Sequence, residues 1–262
     1  MNNYNHPYHL VTNSPWPLFL SISIFNILMN ICMWFNLEEF KIKILMINFL
    51  IFFLCFNLWI RDVIRESFFQ GMHTLMISKF LKFSMILFIL SELFFFISFF
   101  WTYFHMFIAP DPEIGMQWPP KNIIMFDPYE VPLMNSIILI ASGISVTWCH
   151  NSLLNNNYND SKTSLSLTIS LGVCFSLFQY IEYKDSFFCI NDSIFGSIFF
   201  LMTGFHGLHI IIGIIMLSYS LGRFINQQMS KTHHFNFELS LWYWHFVDVI
   251  WLFLYLFLYW WV

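Results

Sequence analysis

Glu92 is the one formally charged residue in the apolar run from Phe83 to Ile108. A carboxyl group in hydrocarbon is costly to hold, so its presence there points to a function or to a specific partner. It follows Lys82 by ten residues, which sets it ~15 Å deep at the rise of a helix. Phe88, Phe95, Phe96 and Phe99 share its helical face and offer it no partner. Asp248 lies nine residues after Leu239, hence ~14 Å deep. His209 precedes Arg223 by fourteen residues, ~21 Å deep by the same rise, with His206 one turn further. Glu92, His209 and Asp248, together with His206, are therefore expected to form one intramembrane polar cluster between the third, sixth and seventh spans. Gly204, Gly207 and Gly213 would let the helices approach closely. Two chemistries fit such a cluster: a hydrogen-bonded structural anchor, or a proton relay.

The ten histidines raise the question of haem or copper. Paired axial ligands must face each other at one depth. His245 lies ~9 Å and His206 ~25 Å from the same surface. His150 stands at an inner helix end and His105 at an outer one, while His206 and His209, at i and i+3, share a face and cannot clasp one haem from both sides. The five cysteines form no CxxC pair, so neither a disulfide framework nor a zinc or iron–sulfur site is expected. No metal site is expected on this chain. No serine sits in a motif that sets it against His206 or His245, which disfavours an intramembrane hydrolase. Arg61, Arg65 and His73 end the second apolar run and begin its loop; Arg223 ends the sixth on the same side. Such groups suit lipid phosphates, although ordinary flanking charges snorkel in the same way.

Membrane-spanning helices must hold these residues. The chain has 262 residues, 58% apolar and 10% charged, whereas soluble domains carry about 25% charged residues. That nearly excludes a soluble enzyme. A net charge of −4 offers no basic patch, so no nucleic-acid partner is expected. Runs long enough for ~30 Å of hydrocarbon are Trp16–Phe35, Ile44–Ile60, Phe83–Ile108, Val131–Cys149, Thr163–Ile181, Ser193–Gly222 and Leu239–Val262, seven in all. Seven crossings put the termini on opposite sides. Arg61, Arg65, Lys79, Lys82, Lys162, Arg223 and Lys231 fall on the N-terminal side, against Lys41, Lys43, Lys121 and Lys184 on the other. The positive-inside rule then places the N-terminus inside. Most loop acids, Glu38, Glu39, Glu113 and Asp127 among them, fall outside. The outer segment Ala109–Glu130 carries five prolines and reads as a rigid cap. Residues 1–17 lack the basic region of a signal peptide and the Arg-rich pattern of a transit peptide, so either the first span itself directs insertion or the protein is made in the compartment where it works. The 35 Phe against two Ala, Ala109 and Ala141, suggest mutational bias in a compact A/T-rich genome.

Several strings carry a resemblance. They are Arg61-Asp62-Val63-Ile64-Arg65-Glu66-Ser67 with Phe69-Gln70-Gly71 and His73-Thr74; Met85 to Glu92; Trp118-Pro119-Pro120; Thr203-Gly204-Phe205-His206-Gly207-Leu208-His209; and Trp242 to Tyr255. In order, over nearly the whole chain, they resemble the mitochondrially encoded family of cytochrome c oxidase subunit III. Met72, Ile60 and Asn236 depart from the family's usual residues.

The resemblance implies an all-α polytopic membrane protein. Seven transmembrane helices would form a V-shaped two-plus-five arrangement, divided as residues 1–75 and 76–262, with phospholipids in the cleft. It implies a mitochondrial inner-membrane location, N-terminus in the matrix and C-terminus in the intermembrane space. It further implies no redox group on this chain, with haem a, haem a3 and copper in partner subunits. The partners would be subunit I directly, with subunit II and small nuclear-encoded subunits in the same complex. Glu92 matches the family's intramembrane carboxylate, and His209 and Asp248 match residues grouped with it. Arg65, His73 and Arg223 match positions near bound lipid headgroups, and with Arg61 are expected to meet those of cardiolipin, phosphatidylglycerol or phosphatidylethanolamine. The expected role is non-catalytic: support of structure, proton uptake, turnover stability and lipid or oxygen access. The rival is a stand-alone transporter or proton channel using Glu92 and Asp248.

Overall fold

Once a helix is nucleated, each further residue adds a backbone hydrogen bond whether its side chain is apolar or not. Apolar runs therefore locate the spans, while caps and turns set the helix ends. The computed structural model describes residues 7–36, 42–112, 115–121, 123–231 and 233–261. Among them it has seven helices long and apolar enough to cross a membrane, and no strand. These are α1 (Trp16–Asn36), α2 (Ile42–Phe68), α3 (Leu75–Ile108), α4 (Val131–Leu154), α5 (Tyr158–Lys184), α6 (Ser193–Ile225) and α7 (Phe235–Leu254), the last continued by a wider π-helical turn, Tyr255–Trp260. Glu38, Glu39, Lys41 and Glu113 lie outside the described residues.

Most helices outrun the apolar stretch that announces them. The charged string from Arg61 to Glu66 is helical throughout and belongs to α2. That helix stops where Gly71, at φ +65°, turns the chain so that the Met72 amide reaches the Glu66 carbonyl at 3.1 Å. α5 starts earlier than its apolar run because the Asn157 side chain accepts from the Asp160 amide at 3.4 Å.

The chain divides into two compact units, Met1–Leu81 and Lys82–Val262. In the first, α1 packs on α2. The segment before α1 and that helix's first residue are tied to the end of α2 by polar contacts. Trp16 Nε1 donates to Asp62 at 2.7 Å and the Thr12 hydroxyl donates to Glu66 at 2.6 Å. His9 Nε2 lies 3.2 Å from the other Glu66 oxygen.

In the second unit, α4 and α5 form a hairpin with a seam of small hydroxyl residues. Ser145 bonds Thr168 and Ser152 bonds Ser161, each at 2.8 Å. Without a hydrophobic drive between helices in lipid, such close contacts and hydrogen bonds hold them together. α7 is locked by Trp244, whose ring fits a slot between Gly172 of α5 and Gly213 of α6. A Cβ on either glycine would come within 2.7 Å of the ring. The indole N–H donates to Ser142 of α4 at 2.9 Å, and Trp251 donates likewise to Ser136 at 3.0 Å. α3 joins α6 and α7 through rings. Phe95 meets Phe205 at 4.9 Å, Phe96 meets Phe246 at 6.5 Å and Phe104 meets Phe257 at 4.9 Å between centroids. The proline-rich segment after α3 packs onto the bundle, with Trp118 against Tyr103 and Phe195.

Candidate functional site: an intramembrane carboxyl–imidazole pair

Glu92 of α3 and His209 of α6 meet directly, Oε2 to Nε2 at 2.9 Å. The Glu92 side chain is 24% exposed and that of His209 9%. The second His209 nitrogen, Nδ1, lies 2.6 Å from the Phe205 carbonyl. A carbonyl only accepts, so Nδ1 carries a hydrogen. The remaining bond then needs one proton between Nε2 and Oε2. A carboxylic acid donating to a neutral ring satisfies it, and so does an imidazolium donating to a carboxylate. Either way the pair is neutral as a whole, which removes most of the cost of burying an isolated charge. Rings enclose it: Phe96 at 5.1 Å and Tyr243 at 6.3 Å from the His209 ring, with Phe95 at 6.4 Å.

His206, one turn away, is fully buried. Its Nε2–H donates to the Val247 carbonyl of α7 at 3.2 Å, and its ring lies against Trp251 at 5.1 Å and Phe175 at 5.6 Å.

Asp248 is turned elsewhere. Its Oδ2 is 3.8 Å from His245 Nδ1 and would meet a Cβ on Gly143 of α4 at 3.2 Å. The structure thus brings Glu92 and His209 into contact, places His206 against α7, and turns Asp248 toward α4. Depth alone suggested one cluster, but azimuth separates them. Tyr243, which stacks on His209, is five residues before Asp248, and five residues advance roughly 140° around a helix. Asp248 instead shares the i, i+4, i+7 stripe of Trp244 and Trp251, both bonded to α4 serines.

The four cationic residues fall in both units. Arg61 is paired with Asp62 at 2.9 Å and Arg65 is exposed, both at the end of α2. The His73 ring lies 5.6 Å from that of His9. Arg223, in the second unit, is half-buried, and among the described residues its buried Nε meets no hydrogen-bond partner.

Two buried acids escape a reading by apolar runs. Glu182, 2% exposed, accepts from Tyr259 at 2.6 Å. It lies one residue past the run that ends at Ile181, yet Phe175, Gln179 and Glu182 form an i, i+4, i+7 stripe that marks a buried face. Glu66 lies under residues 9 and 12. Nothing local in the sequence predicts that return of the chain.

Seven helices long and apolar enough to cross a membrane, with a largely buried carboxyl–imidazole pair between α3 and α6, define a multi-span membrane protein. The family model for "Cytochrome c oxidase subunit III" matches residues 6–262. Curated relatives named "Cytochrome c oxidase subunit 3" include one from Rhipicephalus sanguineus, 51% identical over 98% of this chain and 99% of its own. Others are from Drosophila melanogaster, 48% identical over 98% and 97%, and from Myxine glutinosa, 46% identical over 100% and 99%. The chain belongs to the cytochrome c oxidase subunit III family and is a subunit of that respiratory terminal oxidase.

Proposed function

We propose that this chain is a non-catalytic companion of the oxidase's redox subunits. Haem a, haem a3 and copper then lie in subunits I and II, with subunit I as the direct neighbour and small nuclear-encoded subunits around it. The supporting observation is that His209 uses both ring nitrogens within its own chain. His206, packed between Trp251 and Phe175, has no room for a macrocycle beside it. We place the protein in the mitochondrial inner membrane with its N-terminus in the matrix. In this reading the neutral Glu92–His209 pair anchors α3 to α6 and sustains proton uptake and turnover stability in the neighbouring subunit. Arg61, Arg65, His73 and Arg223 hold phosphate headgroups of cardiolipin, phosphatidylglycerol or phosphatidylethanolamine, and the lipid so retained gives oxygen a path. A stand-alone proton channel would need Glu92 and Asp248 on one route, whereas the two acids face different helices.

The test is native purification through a tag on this chain, followed by removal of the chain from the complex in detergent. The purified complex should show a haem spectrum, and haem and redox-active copper should stay with the remainder. Either group following the tagged chain overturns the proposal.

A further inference from the structure

At the end of the second unit where α4 finishes and α7 begins, His150, His234 and Glu238 converge. One ligand atom from each lies within 4.8 Å of the other two, and this is the one such group of three among the described residues. His150 sits in the last turns of α4. His234 immediately precedes α7 as its N-cap, and Glu238 is one turn into that helix. The two imidazole centroids are 5.5 Å apart.

The chemistry of each donor is partly fixed. His234 is 8% exposed, and its Nδ1 lies 3.2 Å from the Ser230 carbonyl. That carbonyl makes Nδ1 the protonated nitrogen and leaves the lone pair on Nε2. A backbone carbonyl orienting the far nitrogen is the usual support of a metal-binding histidine. Nε2 points to Glu238 Oε1 at 3.8 Å. Glu238 divides its oxygens: Oε2 pairs with Lys82, and Oε1 faces the histidines. Lys82 also lies over the Phe235 ring. Among the described residues no hydrogen-bond partner meets the His150 ring nitrogens.

We propose that His150, His234 and Glu238 bind a divalent transition ion of the zinc class. Two imidazoles and one carboxylate suit borderline ions and disfavour Mg2+ and Ca2+, which prefer oxygen. Zinc bonds of ~2.0–2.1 Å place tetrahedral ligands ~3.3 Å apart. The three donors must therefore draw in by up to about 1.5 Å, with His234 held in place by Ser230 and the half-buried His150 and Glu238 closing on it. Water would take the fourth position. The ion would pin the end of α4 to the start of α7, with Lys82 as the competitor for the carboxylate.

The experiment uses the intact oxidase containing this chain, stripped of loosely held metal with a chelator and dialysed against radioactive Zn2+ alone. Zinc held elsewhere in the complex cancels in the comparison with H150Q, a half-buried position chosen so that the assembly survives. H150Q should lose one equivalent of exchangeable zinc or weaken it at least tenfold. K82M, which frees Glu238, should tighten binding several-fold. Zinc-edge absorption of the equivalent lost in H150Q should show two imidazole nitrogens. Equal zinc binding in wild type and H150Q overturns the site. Unchanged or weaker binding in K82M overturns Glu238 as a ligand, and preference for Mg2+ over Zn2+ overturns the assigned class.

Discussion

Replacing Gly213 by Ala tests whether the Trp244 slot fixes the spacing of α5, α6 and α7. The new Cβ would stand 2.7 Å from Trp244 Cε3 and 2.9 Å from Cζ3, whereas ordinary contact begins at 3.4 Å. The ring would have to retreat by about 0.7 Å, judged against ordinary packing distances. It has nowhere to go, because Gly172 already places the opposite edge at 2.7 Å from its own would-be Cβ. Any retreat also stretches the 2.9 Å bond from the indole to Ser142. Overpacking of this kind costs about 1–3 kcal/mol. At this chain size the thermal midpoint should fall by roughly 2–4 °C for each kcal/mol. The matched control is Gly222→Ala, also in α6, where a Cβ meets nothing within 4 Å. Relief of helical glycine entropy should leave that variant level with wild type or slightly above it. The assay is the thermal dissociation midpoint of the purified complex, read by release of this chain. Equal midpoints for Gly213→Ala and Gly222→Ala would refute the slot argument.

Glu92→Gln should preserve assembly, because the Gln amide can donate to the His209 Nε2 lone pair. Glu92→Ala strands that nitrogen and should cost about 1–3 kcal/mol; complex yield and midpoint compare the two, and loss of the complex in the Gln variant would show that an ionised pair is required. Tyr259→Phe removes the donor to the buried Glu182 and should likewise lower the midpoint by an amount corresponding to about 1–3 kcal/mol. Arg65→Ala with Arg223→Ala should lower phospholipid retained by the purified complex, measured as phosphorus per haem; unchanged phosphorus removes the headgroup assignment.

The number of spans was legible in the sequence because apolar length is a direct physical requirement of the bilayer. Helix ends were less so: α2 runs on through Arg61–Glu66 because its end is set by a turn at Gly71, not by loss of hydrophobicity. Depth counted along each helix brought Glu92, His209 and Asp248 to comparable levels but did not decide which of them meet, since depth gives no rotation about the axis, and rotation is decided by which face the large rings occupy. Trp244 and Trp251 claim the α4-facing stripe, and Asp248 shares it. Glu182 carried a periodic signal that a window of mean hydropathy averages away. The gathering of His150, His234 and Glu238 rests on long-range packing of α4 against α7, which no local pattern encodes.

With only two alanines in the chain, serine takes over the work of the small residue in α4 and α5. Each buried serine there returns its hydroxyl hydrogen to a carbonyl of its own helix: Ser136 to Pro132, Ser142 to Leu139, Ser145 to Ser142, Ser152 to Cys149, Ser161 to Asn157 and Ser164 to Asp160. A hydroxyl satisfied at home brings no unmet polarity to the neighbouring helix, so it behaves as a slightly larger methyl. A nucleotide bias that starves a gene of alanine codons can thus be absorbed without loosening the bundle. The exceptions are Ser136 and Ser142, whose oxygens also receive tryptophan indoles, and Ser145, Ser152 and Ser161, whose oxygens also meet a hydroxyl across the seam. There the hydroxyl serves two helices at once, and a return to alanine would cost a contact that a methyl cannot replace, whereas Ser164, which donates to a carbonyl of its own helix, would tolerate it.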